Sequence, residues 1–224
     1  METTKERKPE ASIIGSYRFG WQQLWKHFLY FFLILLIVAL AESPASMAQK
    51  SELENGGVSF VWQMLSAAYA LLLLPVITYG GNLLYLRGIR DEEIDFSELF
   101  VGFREKYLPI VLANLIKFAL VGIGLVFLII PGVILLCRLV FVSLLVMDKD
   151  MEPIPAIEKS WEMTKGHGWK IFGMGLLAIP VFIIGLVCFV VGAVVSVMWI
   201  YAAFTALYHA IDLKDQQRLL EDGF

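Results

Sequence analysis

The chain has 224 residues, of which 58% are hydrophobic and only 17% charged, with a mean hydropathy of +0.72 and a formal net charge of -3. That composition excludes an ordinary soluble domain and makes lipid the expected solvent. Basic residues fall at the ends of apolar segments rather than in one stripe, so nothing points to nucleic acid. The two cysteines, Cys137 and Cys188, lie inside apolar segments without paired spacing or a nearby histidine, and read as small packing residues rather than metal or redox groups.

A membrane-spanning helix needs about 20 apolar residues, because each residue rises 1.5 Å across roughly 30 Å of hydrocarbon. In chain order, the first amphipathic stretch carries Ile14, Tyr17, Trp21 and Leu24 and leads into a span from Phe28 to Ala41, extended by Trp25 and Pro44. A cleaved secretory signal ending at Ala39-Leu40-Ala41 is the rival reading of this region. The long segment before the apolar core and the aromatic stretch within it, which recurs twice more, favour a retained span. A loop from Glu42 to Gly57 follows. The second span, Val58 to Leu86, contains only uncharged polar groups such as Gln63, Thr78 and Asn82, with Pro75 as a kink.

The second amphipathic stretch begins at Asp95, which with Glu98 forms a candidate capping box. Ile94 and Leu99 are a candidate staple, and Phe96, Leu99, Phe100 and Phe103 share one helical face. The run from Tyr107 to Met147 then holds two spans, with Pro131-Gly132 as the expected reversal. In the third stretch Ile154, Ile157 and Trp161 make an apolar face opposite Glu158, Lys159, Glu162 and Lys165, and Gly166 and Gly168 follow. The run from Trp169 to Ile211 holds the last two spans, broken between Gly185 and Gly192. The expected fold is therefore all-α: one integral membrane domain over 1–224 with six transmembrane helices. They form three hairpins, about 11–88, 89–150 and 151–213, each preceded by an amphipathic helix at the interface.

Orientation follows from the basic residues, since cytoplasmic loops retain Lys and Arg. Lys5, Arg7, Lys8, Arg18, Lys26, Arg87, Arg90, Arg104, Lys106, Lys149, Lys159, Lys165, Lys170, Lys214 and Arg218 share one side, and only Lys50 lies opposite. Both termini are expected in the cytoplasm.

The string Ile130-Pro131-Gly132, Arg138 with Phe141, Met147-Asp148, Pro153, Ala156, Ser160-Trp161, Thr164-Lys165-Gly166-His167 and Trp169 resembles a bacterial family of six-helix integral membrane proteins. That family includes YciC-like proteins and the membrane domain attached to some glycerophosphodiester phosphodiesterases. The resemblance covers the C-terminal two thirds and implies a place in the bacterial inner membrane. It supplies no reaction, and this chain carries no soluble phosphodiesterase domain.

Lys117 and Arg138 are the two charges placed within the spans. Each costs roughly 2.5–3.5 kcal/mol to insert, so each needs a partner, a wet cavity or a snorkelling route. No Asp or Glu lies between Tyr107 and Met147 or between Trp169 and Ile211. Aligning the repeats puts Leu35 and Gly175 where Lys117 stands and Met198 where Arg138 stands, so the hairpin does not demand either charge. One reading places Lys117 and Arg138, with Asn114, Asn82 and Gln63, around an anion such as a lipid phosphate or small acid. The other has Arg138 snorkelling and Lys117 bonded to carbonyls or Asn114.

Trp21, Phe103, Trp161, His27 and His167 read as interfacial anchors, and so does His209. The acidic groups Asp91, Glu92, Glu93 and Asp95 read as a solvated cap and loop. No catalytic order, phosphate loop or dinucleotide fingerprint appears, and no cofactor is called for. The lead expectation is a non-enzymatic structural, assembly or membrane-homeostasis protein with membrane lipids as partners. The alternative is a transporter or lipid-handling protein, and a membrane-embedded enzyme stands last.

Overall fold

The computed structural model of the chain describes residues 10–55, 60–187 and 189–221. Lys5, Arg7, Lys8, Val58 and Cys188 lie outside the described residues, as does the Lys50 side chain. Every regular element among them is helical: α1 (Ile13–Lys26), α2 (Phe28–Asn55), α3 (Phe60–Leu72), α4 (Leu74–Ile89), α5 (Val101–Arg104), α6 (Tyr107–Phe127), α7 (Ile129–Arg138), α8 (Val142–Asp148), α9 (Pro153–Met163), α10 (Gly168–Val187) and α11 (Phe189–Glu221). Five helices or helix pairs are long and apolar enough to cross a membrane, Phe60–Ile89, Tyr107–Phe127, Ile129–Asp148, Gly168–Val187 and Val191–Arg218. A sixth appears if α1 and the Phe28–Pro44 part of α2 count together, although they meet at 96°. The chain is a multi-pass, all-helical membrane protein.

Ser12 starts α1 by accepting the Gly15 N–H at 3.1 Å, a side-chain cap for an N–H with no intrahelical acceptor. The helix ends at His27, whose backbone leaves the helical region. The expected loop after Ala41 is instead helix: α2 runs on through Pro44 to Asn55. Proline at 44 deprives the Leu40 carbonyl of its usual N–H donor. The Ser43 hydroxyl supplies a hydrogen bond to that carbonyl at 2.8 Å, and Tyr69 from α3 donates to the neighbouring Ala41 carbonyl at 2.7 Å.

Pro75 acts as expected, with α3 and α4 meeting at a break around Leu73. The second amphipathic stretch differs from expectation. It is a 3-10 turn over Phe96–Phe100 followed by the single turn α5. Asp95 caps it, accepting the Ser97 N–H at 2.9 Å, but Glu98 does not close a box because its carboxylate turns to Arg87 at 3.2 Å. The reversal between α6 and α7 falls at Leu128, three residues ahead of Pro131. Pro131 sits in the first turn of α7, where a missing N–H costs nothing. Gly132 has a packing role: a Cβ on Gly124 would meet the Gly132 Cα at 3.0 Å. The last reversal lies where the sequence puts it, and a Cβ on Gly185 would meet the Gly192 carbonyl oxygen at 2.6 Å.

Buried side chains gather where the C-terminal halves of α4 and α11 meet α1, α8 and α9. Away from that end, Phe60, Val126, Phe127, Ile129, Val187 and Val191 are exposed, an apolar surface far beyond what water tolerates. The entry helices α1 and α9 each bury one face of mixed small and large residues. α1 buries Ser16, Tyr17, Gly20, Gln23 and Leu24, while Ile14 is 78% exposed. α9 buries Pro153, Ala156, Ser160 and Met163, while Ile154 is 62% exposed. Small residues such as Ser16, Gly20, Ala156 and Ser160 let the helix backbones approach, and larger ones such as Tyr17, Leu24 and Met163 fill the contact beside them. α1 lies along α11, the Phe96–Arg104 segment along α4, and α9 along α6 and α8.

A Cβ at Gly20 would meet the Ala203 nitrogen at 2.8 Å and the Ala202 carbonyl carbon at 3.0 Å. Gly20→Val therefore forces α1 off α11 and lowers stability by about 1–3 kcal/mol, read as a fall in the detergent-solubilised melting temperature. Gly122 has no heavy atom within 4 Å of such a Cβ, and Gly122→Ala leaves the melting temperature unchanged or slightly raised.

Candidate functional site

Arg90 caps the C-terminus of α4 and reaches two other helices. Its Nη2 donates to Asp148 at 2.9 Å and to Asp212 at 3.3 Å, its Nη1 also donates to Asp148, and its Nε donates to His209 Nδ1 at 3.4 Å. Asp148 ends α8, and His209 and Asp212 belong to α11. Since a guanidinium only donates, His209 accepts on Nδ1 and is the neutral ring protonated at Nε2. Tyr208 donates to Asp148 at 2.9 Å, and Lys149 and Gln216 reach Asp212 at 3.1 and 2.9 Å. The Arg90, Asp148 and Asp212 side chains are only 18%, 9% and 7% exposed. Burial pulls the Arg90 guanidinium down, but the hydrogen bond and charge of Asp148 outweigh it and hold the group above its ordinary range.

A second polar knot sits at Asp91, the next residue, whose φ of 59° places it in the left-handed region. Asp91 accepts from Lys26 at 2.6 Å, from Gln23 at 3.2 Å and lies 2.9 Å from His27 Nε2. Burial raises its pKa, and the bonds from His27, Lys26 and Gln23 more than reverse this, pulling it down to about 2. Asp150, with φ of 54°, ends α8 in the same way and takes Lys106 at 2.9 Å. Arg87 binds Glu92 at 2.6 Å and Glu98 at 3.2 Å. Of the acidic group, Asp95 is the expected exposed cap and Glu93 is exposed as well, while Asp91, though exposed, also ties α1 to the end of α4.

The intramembrane cations are placed apart from these knots. The helix breaks after Arg138, and Val142 N–H bonds to Leu139 at 3.4 Å, leaving the Arg138 carbonyl without its usual N–H. Ser160 of α9 donates its hydroxyl to that carbonyl at 2.7 Å, while the Thr164 hydroxyl, 3.5 Å away, donates to the nearer Ser160 carbonyl at 2.8 Å. The Arg138 guanidinium lies 5.3 Å from the centre of the Trp161 ring, within cation–π range. Its Nη1 is buried and has no hydrogen-bond partner among the described residues. Beside it a groove of about 640 Å³ runs between α7 and the start of α10.

Lys117 and Asn114 are half-buried on α6 with no hydrogen-bond or ion-pair partner among the described residues, and neither lines that groove. Asn82 donates to Ser143 at 3.2 Å and lines a separate small pocket with Glu42, Thr78, Tyr85 and Tyr201. Gln63 is exposed on α3. The five residues thus occupy separate places, and only Arg138 borders a sizeable cavity.

Among the expected anchors, Trp21 packs against Trp25 and Trp199 at ring distances of 5.6 and 4.7 Å. Phe103 stacks on Tyr107 at 6.4 Å, Trp161 lies under Arg138, and His167 Nδ1 is 3.2 Å from the Lys165 carbonyl oxygen. His27 is tied to Asp91 at the bend between α1 and α2. The residues missed by sequence reasoning are Arg90, Asp148, Tyr208, His209 and Asp212. Each sits at a span end, where a charge reads as solvated, and only their spatial convergence reveals the cluster. Among the described residues no group of three His, Cys, Asp or Glu side chains has a metal-binding arrangement.

Comparison with family models, curated proteins and solved structures finds no match for this chain. The likeness to the six-helix bacterial family rests on the quoted residues alone.

Arg90→Met leaves Asp148 and Asp212 buried without their shared cation and costs about 3–5 kcal/mol. The triple change Arg90→Met, Asp148→Leu, Asp212→Leu recovers much of that loss, both effects being read from thermal unfolding in detergent. Asp91 adds a pH dependence. Its folded pKa is depressed, so its contribution is complete above about pH 4 and is lost as pH falls toward about 2. In Asp91→Asn this part of the acid sensitivity disappears from a series of melting curves.

Proposed function

We propose that the chain is an inner-membrane protein of bacterial type, with both termini cytoplasmic, that acts without covalent chemistry as a structural, assembly or membrane-homeostasis factor. Its six spans form three hairpins that close into a ring. Each entry segment lies on the return helix of the preceding hairpin, α1 on α11, the Phe96–Arg104 segment on α4, and α9 on α8. The observation that carries this reading is where the polar groups go. Arg90, Asp148, Asp212, Asp91, Lys26, Lys106 and Asp150 are engaged in holding helices together.

The six-helix family resemblance agrees with this reading, as does the concentration of Lys and Arg at one end. Transport or lipid handling is a second reading, favoured by one observation: Lys117 and Arg138 have no ion-pair partner among the described residues.

A deletion strain complemented with the Lys117→Met, Arg138→Met double variant separates the two. Full restoration of envelope integrity and lipid composition at wild-type protein levels is the outcome expected of the scaffold. Failure at those levels moves the function to the cations. Cysteines placed at Lys50 and Lys214 test the topology, and only the former is expected to react with an impermeant maleimide in intact cells.

A further inference from the structure

We infer that the groove between α7 and α10 is a binding site for an anionic phospholipid, with Arg138 holding the phosphate and an acyl chain lying along the groove. The inference deepens the lipid-handling reading and rests on it, but assigns the site to Arg138 without Lys117.

The walls and the charge select the occupant. Ile130, Val133 and Ile134 of α7 form one wall, and Trp169 and Phe172 form the other, with Gly168 between them and Arg138 at the border. Among the described residues no acidic side chain lines the groove. A volume of about 640 Å³ is in the range of sites that enclose small amphiphiles. A soluble anion gains nothing from such walls, and a neutral lipid leaves the guanidinium unanswered. An anionic lipid satisfies both, because a half-buried guanidinium without a carboxylate partner is matched by a hydrogen-bonded counter-charge and apolar walls need apolar cover.

Three features make the site built rather than incidental. The break after Arg138 is repaired by Ser160 through the backbone carbonyl, so the fold uses the main chain at this position and the side chain carries no ion pair among the described residues. Trp161 holds the guanidinium from one side and Nη1 is closed off inside the protein, so the phosphate is met by the other two nitrogens of the half-buried fork. The 20-residue helix α10 begins at the groove; Lys170 and Ile171 N–H already bond the His167 carbonyl, and the Gly168 and Trp169 N–H groups with the positive dipole end favour an anion there. Gly166, at φ +76°, and Gly168 each have no heavy atom within 4 Å of a would-be Cβ, leaving open space beside that first turn. Trp169, 86% exposed, stands at the rim, as an interfacial aromatic does.

Native mass spectrometry tests this with the full chain, titrating phosphatidylglycerol against chain-matched phosphatidylcholine as the neutral competitor. Wild type and Lys117→Met are expected to retain phosphatidylglycerol selectively. Arg138→Met should lose about tenfold or more in affinity, and Arg138→Lys should fall between, keeping the charge without the planar fork. Gly168→Leu fills the groove from a position with room for a side chain and leaves Arg138 in place, so it should lose the lipid while melting like wild type. It decides the matter if Arg138→Met does not fold.

Equal retention of the two lipids by wild type overturns the proposal, and so does undiminished phosphatidylglycerol binding in folded Arg138→Met or Gly168→Leu. Loss in Lys117→Met with binding intact in Arg138→Met also overturns the groove, while leaving the lipid-handling reading standing on α6.

Discussion

The buried end of the bundle is held in register by one guanidinium shared between two carboxylates. Arg90 is on α4, Asp148 on α8 and Asp212 on α11, so three helices far apart in sequence meet at a single charge cluster. In a nearly dry site such a cluster adds little net stability over an apolar one. Its effect is on specificity: a slip of α8 or α11 along its axis strands a carboxylate without its donor. Tyr208, His209, Lys149 and Gln216 take up the remaining hydrogen-bonding capacity, so the arrangement is closed on itself.

The entry segments depend on those three return helices. α1 can approach α11 because Gly20 faces Ala202 and Ala203, and Gly80 leaves α4 open to the backbone of Leu99. α9 is fixed by the hydroxyl of Ser160 on the Arg138 carbonyl. That last contact belongs to a pattern. Surrounded by apolar groups, a broken helix cannot use water to satisfy its carbonyls, and the chain uses hydroxyls: Ser43 and Tyr69 near Pro44, Ser160 after Arg138. Irregular backbone persists where such donors are supplied.

Against this background two kinds of cation stand out. Arg90, Lys26, Lys106 and Lys149 are each matched by a carboxylate and serve the architecture. Arg138 has a tryptophan beneath it, a buried nitrogen without an acceptor and an apolar groove alongside. Charge without a protein counterpart is where ligand chemistry has room to act, and this distinction separates the scaffold of the molecule from its candidate binding surface.

Much of the fold is legible in the sequence because it follows from local chemistry. Apolar length sets the spans, Pro75 breaks the second, and paired glycines mark the last reversal. The intramembrane position of Lys117 and Arg138 is likewise plain from the residues around them. Three things were decided only in three dimensions. Helix α2 continues through Pro44 because Ser43 and Tyr69 are there to repair it, Glu98 abandons a capping box because Arg87 is near, and Asp148 and Asp212 become buried ligands of Arg90. Hydropathy and periodicity report how one segment meets its solvent. Which polar groups converge depends on contacts between segments 58 to 122 residues apart, and no local pattern encodes that distance.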